Sequence, residues 1–585
     1  MNAHTILRAI CLPVIFLMAA AAAPGTERTG LRITYPPAHS VTRFPRTRIA
    51  GSCAPPCRIF IQGNPVRVYP TGAFVGLVPL SEGENVIEVL AKKGGEEKRE
   101  RFTVTCRDPL VSSPVSPLAI DGRMDEPAVD TALCAGDELR VQLKGSPGVK
   151  AFWSLGELVR SAPLREISPA DEGLLRGIRG IFRASYRIRA GDHIDKTRVR
   201  FRLVSGRGEE ASAFSPGRVT ILPREELTKG EVGAGGAVLS GEPGGERAWE
   251  LDAGTRVNIC GEAGGYCRLK LSKGERYWTP KECVKLLKGE GGWSAAAVGA
   301  PSLCRSEGGA RLSVPLSGAA PYRVTQAERK NLLVLELFGV SPPREKINLK
   351  GVPPVTTVEF PEAELGAVRI ALHMGGRAQW GYECRRTKEG IELYVRESPG
   401  RKIGKLAIVI DPGHGGTQIG AVSPTGLQEK ELNLTVARAV VDYLKGEGAR
   451  AVLTRNADET RSLAERIERA RAERADIFVS IHHDSCPGHC DPLKRRGARA
   501  YYGIRHSRLL AERIVRKISK TGIKSNGSAQ GNYAVILPPG CLAVLVECGY
   551  LSHPKDEELL VRKKFLAELG RAIGKGIVEY VEKHG

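Results

Sequence analysis

Long apolar runs are almost absent from this chain of 585 residues, and so are internal repeats and long low-complexity segments. The longest apolar run, Ile10 to Ala23, is too short for a comfortable membrane span. No later segment approaches that length. The sequence therefore predicts no membrane span, and at this length it predicts several domains rather than one core.

A concentrated block of positive charge is also missing, although the formal net charge is +22. Residues 401–585 hold 31 Lys and Arg against 21 Asp and Glu, so the excess is spread along the chain. This spread argues against a dedicated nucleic-acid site. A diffuse positive field raises the local concentration of a protein near anionic wall polymers and phospholipid head groups. An arginine-rich proteome explains the same charge equally well.

The first residues have the features of a secretory signal peptide, predicted at residues 1–23. Arg8 precedes the apolar run, and Ala19 to Ala23 offer small residues for cleavage. Cys11 lies inside the apolar run rather than after a cleavage site, which disfavours a lipid anchor. We therefore expect an exported protein, located in the periplasm or in the extracellular cell wall.

Cysteine usage agrees with export. The chain has 14 cysteines, one of them Cys11, and several of the others occur as close pairs within one predicted module. Such pairs are typical of structural disulfides in an oxidising compartment. An odd number after signal removal also predicts a free thiol or an intermolecular bridge.

The fold class predicted is multidomain, with several small all-β modules followed by an α/β domain. Residues 31–108 alternate short β-type runs with turns, which favours a β-sandwich. Within this segment, the stretch from Gly72 to Val89 is similar to bacterial immunoglobulin-like modules. Residues 111–227 are β-rich without a recognisable role.

Two further β modules are predicted before the α/β domain. Residues 235–290 resemble a small bacterial Src-homology-type barrel, on the evidence of Leu251 to Ile259, Gly265 to Leu271 and Tyr277 to Pro280. Residues 302–398 alternate as strands, and their position is similar to that of the AMIN module, which implies localisation to the cell wall. From Lys402 onward, buried strands alternate with amphipathic helices, which predicts a mostly parallel sheet with helices on both faces over residues 403–583.

The most informative motif is Asp411-Pro-Gly-His-Gly-Gly416, which follows the apolar run Leu406 to Ile410. It places His414 at the carboxyl end of a predicted strand, where open α/β sheets bind ligands. Glu429 opens an amphipathic helix, and a second buried strand ends on His482. A mixed set of two histidines and one glutamate is typical of zinc sites that leave one position open for water.

Four motifs in this order resemble those of the zinc-dependent N-acetylmuramoyl-L-alanine amidases of the bacterial cell wall: D-P-G-H-G-G, G-L-Q-E-K-E-L-N-L, F-V-S-I-H and L-V-E-C-G-Y-L-S-H. The resemblance covers residues 403–583. It implies zinc held by His414, Glu429 and His482, and peptidoglycan as substrate. The bond cleaved would be the amide between N-acetylmuramic acid and L-alanine. Asp411 is expected to orient a ligating imidazole.

Glu547 is the predicted general base. It ends the apolar strand that begins at Leu542, so its carboxylate is expected at the same edge as the zinc ligands. An ionisable group at the end of so apolar a strand is costly without a partner. A carboxylate beside a metal-bound water accepts its proton and returns it to the leaving nitrogen.

The sequence departs from the family after His482. The family continues with a small residue and asparagine, whereas this chain has His483 and Asp484, followed by a segment with Cys486, His489 and Cys490. That segment is compatible with a second metal site. A loop tied by a disulfide, or bridged to Cys541 or Cys548, is the favoured interpretation because thiols pair in exported proteins.

Two other functions remain open from the sequence. One is a wall-binding scaffold with an inactive amidase-like domain, although the intact ligand and base residues argue against it. The other is a zinc carboxypeptidase, which needs a cationic group such as Arg455 to hold a terminal carboxylate.

Regulation is also open. Some relatives carry a helical insertion that blocks the zinc until an activator removes it. Here the stretch between His482 and Glu547 has one substantial helical pattern, Ser507 to Ser519, whose apolar stripe is typical of a packed helix. We therefore expect residues 403–583 to be active without a partner, although envelope partner proteins stay possible.

Overall fold

The computed structural model describes residues 29–585 except 110, 168–177, 223–226, 290, 328–330, 344–346, 361–365, 377 and 539. The predicted signal peptide lies outside the described residues. The chain divides into two compact units, one formed by Met1–Pro109, Gly376–Glu383 and Val395–Gly585 and the other by Leu110–Gly375 and Cys384–Tyr394. None of the described helices is long and apolar enough to cross a membrane.

The amino-terminal part of the first unit, residues 31–108, forms two sheets around one core. Ile49 and Phe74 enter this core from one sheet, and Ile59 and Val89 enter it from the other. This arrangement is a β-sandwich, here called the N-terminal sandwich. The sheet orders are β1-β3-β6 and β2-β8-β7-β4-β5. The strands are β1 (Arg32–Tyr35), β2 (Ser40–Thr42), β3 (Arg46–Ser52), β4 (Arg58–Ile61), β5 (Asn64–Val66), β6 (Ala73–Pro79), β7 (Gly83–Lys93) and β8 (Glu96–Cys106).

The second unit begins with seven strands within residues 111–227. Their alternating side chains, among them Val199, Phe201 and Leu203, bury one face of each long strand in a shared core. The strands are β9 (Thr131–Cys134), β10 (Glu138–Lys144), β11 (Lys150–Leu155), β12 (Val159–Glu166), β13 (Ile181–Arg187), β14 (Ile194–Val204) and β15 (Glu210–Leu222).

The next seven described strands include six in residues 235–290, the segment predicted as a barrel, and one, β16, before it. They are β16 (Thr228–Val232), β17 (Ala237–Ser240), β18 (Arg247–Leu251), β19 (Arg256–Ala263), β20 (Tyr266–Lys270), β21 (Arg276–Pro280) and β22 (Val284–Leu286). This segment does not stand apart from the preceding module. Strand β9 pairs in parallel with β15 and also bridges to β19, where Thr131 lies opposite Ala263. One sheet of 14 strands therefore runs through both segments.

The remaining strands of the second unit form two main sheets, ordered β24-β25-β33-β32 and β26-β27-β31-β30-β29. Phe338 and Ala367 from this region lie in the core of the preceding segment. The strands are β23 (Ala296–Ala297), β24 (Ser302–Ser306), β25 (Gly309–Pro315), β26 (Tyr322–Ala327), β27 (Leu332–Phe338), β28 (Val340–Ser341), β29 (Lys350–Val352), β30 (Val355–Glu359), β31 (Ala367–Met374), β32 (Tyr382–Arg386) and β33 (Gly390–Arg396). The resemblances to barrel and AMIN modules stay predictions.

The C-terminal domain is an α/β domain built on a six-stranded sheet ordered β35-β34-β36-β39-β37-β38. Neighbouring strands are parallel except β37 and β39, which are antiparallel. The sheet is therefore mixed. The strands are β34 (Ala407–Pro412), β35 (Arg450–Leu453), β36 (Ile477–Asp484), β37 (Ala498–Tyr502), β38 (Ser525–Gln530) and β39 (Leu542–Tyr550). The helices are α1 (Glu429–Gly446), α2 (Leu463–Ala472), α3 (Arg508–Ile518), α4 (Pro554–Leu560) and α5 (Lys563–His584).

Helices cover both faces of this sheet. The larger core joins α1, α3 and α5 to one face, as buried Val436, Ile514 and Ile573 illustrate. On the other face, Phe478 and Leu545 form a smaller core with Ala470 of α2 packed against it. The apolar spacing of α1 and α3 in the sequence predicted these buried stripes.

Two strands extend further than the sequence predicted. Strand β36 continues past His482 to Asp484, and β39 continues past Glu547 to Tyr550. His482 and Glu547 therefore lie within strands rather than at their last residues. Backbone pairing between the two strands persists there because His482 is in register with Glu547.

The described residues include 13 cysteines. Cys53 and Cys57 of the N-terminal sandwich are in side-chain contact. The predicted structural disulfides stay predictions.

Candidate metal centre and active site

The turn after β34 carries the first candidate ligand. His414 adopts a φ of 60°, a left-handed conformation that is uncommon for residues other than glycine and often occurs at functional sites. Gly413 before it has no room for a side chain, since a Cβ there would lie 2.7 Å from Nδ1 of His482. The turn therefore brings the backbone of β34 directly against the second histidine.

His414, Glu429 and His482 meet at one point. Nε2 of His414 lies 3.2 Å from Oε1 of Glu429, and Nδ1 of His482 lies 3.0 Å from the same oxygen. The candidate ligand atoms of the three residues all lie within 4.8 Å of one another. Donor atoms about 2.0–2.1 Å from a tetrahedral zinc are roughly 3.3 Å apart, so the nitrogen and oxygen donors fit this metal.

Glu429 is buried at the start of α1, with 5% of its surface exposed. Its Oε2 accepts from the Ala421 backbone N–H at 2.8 Å, and its Oε1 accepts from the His483 backbone N–H at 3.2 Å. Burial opposes ionisation, but the hydrogen bonds with His414 and His482 outweigh it and lower the pKa of this carboxyl. Glu429 is therefore held as an anion, the form that binds a cation.

Asp411 does not contact an imidazole through its hydrogen bonds, contrary to the expectation from the sequence. Its carboxylate accepts from Thr454, from Ser480 at 2.7 Å and from Nη1 of Arg466 at 2.6 Å. Arg466 in turn donates through Nη2 to the backbone carbonyl of His414 at 2.8 Å. Asp411 is thus connected to the backbone of His414 through Arg466, whose side chain is buried.

Arg455 forms hydrogen bonds with the turn that carries His414. Its guanidinium donates to the carbonyls of Pro412 and Gly413 at 3.0 Å each and to that of Lys430 at 2.9 Å, and only 2% of the residue is exposed. The arginine considered for binding a terminal carboxylate is therefore used to hold the ligand turn against α1.

Glu547 lies beside His482 on the neighbouring strand, as predicted for the general base. It is 9% exposed, and its Oε2 has no hydrogen-bond partner among the residues described. Burial raises the pKa of this carboxyl well above its ordinary value, and the nearby carboxylates of Asp484 and Glu429 raise it further. A buried oxygen without a partner is costly, which favours a role toward a ligand.

The segment after His482 does not form a second metal group. Among the described residues, the cluster of His414, Glu429 and His482 is the one that could hold an ion. His483 is buried with its Nδ1 2.8 Å from Oδ1 of Asn433, and burial lowers the pKa of its imidazole to about 4. The neutral imidazole of His483 therefore contacts Asn433, and the backbone N–H of the same residue donates to Glu429.

Asn433 and Arg466 were not identified from the sequence as site residues. Nδ2 of Asn433 donates to the Gly413 carbonyl at 3.1 Å and to Glu429 Oε1 at 3.3 Å, linking the turn to α1. Its spacing of four residues from Glu429 placed it on the same helix face, and that spacing was the available signal. No sequence pattern marked Arg466, because its partner Asp411 lies 55 residues away in the chain.

Comparison with known proteins gives the C-terminal domain a family. The family profile described as N-acetylmuramoyl-L-alanine amidase matches residues 408–579. The uncharacterized protein YqiI of Bacillus subtilis is 33% identical over 176 residues, which cover 30% of this chain and 85% of YqiI. The chain belongs to the N-acetylmuramoyl-L-alanine amidase family. The family predicted from the four motifs is thereby confirmed.

Two named amidases match a similar share of this chain. The N-acetylmuramoyl-L-alanine amidase AmiC of Neisseria meningitidis serogroup B is 29% identical over 225 residues, which are 31% of this chain and 54% of AmiC. The chain thus spans about half the length of that relative. The solved amidase AmiC2 of Nostoc punctiforme is 34% identical, with 30% of this chain and 97% of that chain covered and a TM-score of 0.29.

Proposed function

We propose that this chain is an exported, zinc-dependent N-acetylmuramoyl-L-alanine amidase. Its substrate is peptidoglycan, and the bond cleaved is the amide between the lactyl group of N-acetylmuramic acid and L-alanine. The convergence of His414, Glu429 and His482 on one point supports this proposal most directly. Family membership supports the substrate class.

Amide hydrolysis needs a polarised carbonyl, an activated water and a proton for the leaving amine. His414, Glu429 and His482 would hold zinc, which would supply a Lewis acid and would lower the pKa of water from about 15.7 toward ~7. The chain's own part in this step is to keep Glu429 ionised and both imidazoles oriented. Asn433 and Arg466 do so by fixing Glu429 and the His414 backbone.

Glu547 handles the proton. Burial raises the pKa of this carboxyl, and a general base with a raised pKa both accepts a proton and returns it more readily than an ordinary carboxylate. We assign the accepting atom as Oε2, which is buried and has no protein partner among the described residues. The proton accepted from water would pass to the nitrogen of L-alanine as the amide breaks.

The β modules would hold the enzyme at the cell wall. The net charge of +22 suits binding to anionic wall polymers. In this proposal, residues 302–398 act as an AMIN-like targeting module and residues 235–290 as a Src-homology-type barrel. The proposed function involves no nucleic acid. It is compatible with an envelope partner protein.

Mass analysis of muropeptides released by the full chain tests the function. Free stem peptides and peptide-free glycan are the expected products. Glycan with shortened peptides would mean a carboxypeptidase instead. An intact wall after incubation with a zinc-loaded chain would mean a scaffold, and either result would contradict the proposal.

A further inference from the structure

The N-terminal sandwich packs on the loop that follows the second candidate histidine ligand, residues 485–491. The backbone N–H of Arg48 donates to the Gly488 carbonyl at 2.6 Å. Its guanidinium Nη1 donates to the Cys486 carbonyl at 3.0 Å and contacts Cys486 Sγ at 3.3 Å. Only 4% of Arg48 is exposed, so this arginine is enclosed in the contact.

Aromatic groups complete the contact. Phe44 stacks on His489 with ring centroids 3.6 Å apart and planes inclined by 17°. The guanidinium carbon of Arg48 lies 4.3 Å from the centroid of the Tyr35 ring. Tyr35 also fills the space beside Gly488, where a Cβ would approach the tyrosine hydroxyl and lie 2.7 Å from its Cζ. The sandwich is thus fitted to a loop position that has no side chain.

The 485–491 loop is connected directly to the candidate metal centre. It begins after Asp484, the last residue of β36, two positions beyond His482. Asp484 lies opposite Tyr550 of β39, the strand that carries Glu547. The Asp484 carbonyl accepts from the Leu551 backbone N–H at 2.8 Å. The loop therefore leaves the edge where the candidate ligand and the candidate base lie.

The sandwich also reaches the loop on the other side of the centre. Thr34 Oγ1 donates to the Pro424 carbonyl at 3.3 Å. Pro424 lies between β34 and α1, in the segment that carries the chain from His414 to Glu429. One module thus contacts both loops that connect the three ligands to the rest of the domain.

Such a contact is costly to lose. A guanidinium buried at 4% exposure needs the loop carbonyl and ring face as partners, since an unpaired buried charge is strongly unfavourable. The loop itself contains Pro487 and Gly488 and gains order from these bonds. The contact therefore stabilises one particular arrangement of the N-terminal sandwich and the 485–491 loop.

We propose that the N-terminal sandwich is a working part of the catalytic unit, which positions the 485–491 loop as a wall of the substrate groove. Arg48, Tyr35 and Phe44 are positioning residues in this proposal, which rests on the proposed amidase function. It revises the expectation from the sequence that residues 403–583 suffice for full activity, because a groove wall held from outside relaxes when its support is removed.

Full-chain variants at Gly488 test this positioning. Gly488→Ala places a methyl group against Tyr35 without requiring a left-handed backbone. We expect faster hydrogen exchange in residues 485–491, and a kcat/KM on a soluble disaccharide-peptide lowered about 10- to 100-fold, mainly through KM. Bound zinc should be unchanged. Gly446→Ala, at a helical glycine with open space around it, is the matched control.

A double-mutant cycle links the effect to the sandwich. Tyr35→Ala removes the obstructing ring, so Gly488→Ala should have little further effect on exchange or kcat/KM in that background. An equal effect of Gly488→Ala with and without Tyr35 would overturn the proposal, and so would no effect at all. If Gly488→Ala does not fold, Phe44→Ala should show the same loss and Phe44→Tyr should restore activity.

Hydrogen exchange separates this proposal from the amidase function. The wild-type chain could fail to cleave the muramoyl–alanine bond while hydrogen exchange in the double-mutant cycle follows the expectation. That result would contradict the amidase function but support the positioning of the loop by the sandwich. If the wild type cleaves the bond and Gly488→Ala matches it in exchange and kinetics, the positioning role is wrong.

Discussion

At the scale of single residues, the centre depends on one carboxylate shared by two imidazoles. Glu429 lies 3.0 Å from His482 and 3.2 Å from His414, both through Oε1. Without a cation, these contacts leave Glu429 ionised beside two titratable rings. In the proposed function, the same three groups would be the ligands of the cation.

Removal of a ligand should remove the metal. We expect the wild-type chain to bind about one zinc and His482→Ala to lose both the zinc and the activity, because two remaining donors hold the metal poorly. Metal analysis of the purified proteins is the measurement. His39→Ala replaces an exposed histidine of the N-terminal sandwich and serves as control. Full activity in metal-free protein would disprove the zinc assignment.

Replacement of Glu547 should separate metal binding from turnover. Glu547→Gln keeps the side-chain shape but cannot carry a proton, so kcat should fall by at least ~10²-fold while zinc stays bound. Glu468→Gln changes an exposed glutamate in α2 and should leave kcat unaltered. Near-normal turnover of Glu547→Gln would place the base elsewhere, with Asp484 and Glu431 as the next candidates.

The three residues of the candidate metal centre could be identified from the sequence because each lies in a local motif beside a strand or at a helix start. The position of Asp411 in the turn could be predicted from the sequence. Its hydrogen-bond partners could not, since Thr454 and Arg466 come from segments more than 40 residues away. The role of Arg455 was missed for the same reason. Its four carbonyl acceptors are backbone atoms that no sequence pattern marks.

At the scale of secondary-structure elements, close packing of helix α5 was not foreseen. Gly570 and Gly574 face α1, where added Cβ atoms would lie 2.5 Å from Cβ of Ala439 and 3.1 Å from Cγ of Tyr443. Gly576 faces α3, where a Cβ would lie 2.6 Å from Ile514 Cα. The spacing of these glycines was visible, but only the packed structure shows which helices approach.

Gly576→Ala should therefore destabilise the C-terminal domain. The obstructing atoms belong to the backbone of Ile514, which cannot move aside as a flexible side chain does. We expect a loss of about 1–3 kcal/mol from overpacking, larger than the gain in helix propensity. Gly446→Ala in α1 meets open space and should raise stability by about 0.5–1 kcal/mol. Calorimetric melting of both variants is the test, and equal shifts would contradict the packing argument.

The elements themselves followed from periodicity. The apolar spacing in α1 and α3 and the continuous apolar runs of β34, β36 and β39 predicted the α/β domain. The antiparallel pairing of β37 with β39 and the extension of β36 to Asp484 could not be predicted, because strand partners depend on long-range packing.

At the scale of the whole molecule, buried histidines make stability depend on pH. His506 is 8% exposed, and its Nε2 lies 3.0 Å from the Cys541 carbonyl. Burial lowers the pKa of this imidazole to about 4, from an ordinary value of 6.5. The folded protein therefore keeps His506 neutral at pH values where the unfolded chain is already protonated.

Stability from His506 should be fully present above pH 6.5 and be lost as the pH falls toward 4, by at most about 3 kcal/mol. His506→Gln keeps a donor for the Cys541 carbonyl but does not titrate. Its melting temperature should fall less steeply than that of the wild type over this range, as measured by calorimetry. His39→Gln, at an exposed position, should follow the wild type. Parallel curves for His506→Gln and the wild type would contradict this prediction.

The shared sheet of the second unit has an evolutionary consequence. Since β9 lies between β15 and β19, a recombination event that exchanges either segment alone exposes two strand edges and leaves backbone groups unpaired. Gene fusions that preserve folding must carry residues 111–290 as one block. Homologous chains should therefore gain or lose these two segments together, whereas the N-terminal sandwich should vary with the 485–491 loop on which it packs.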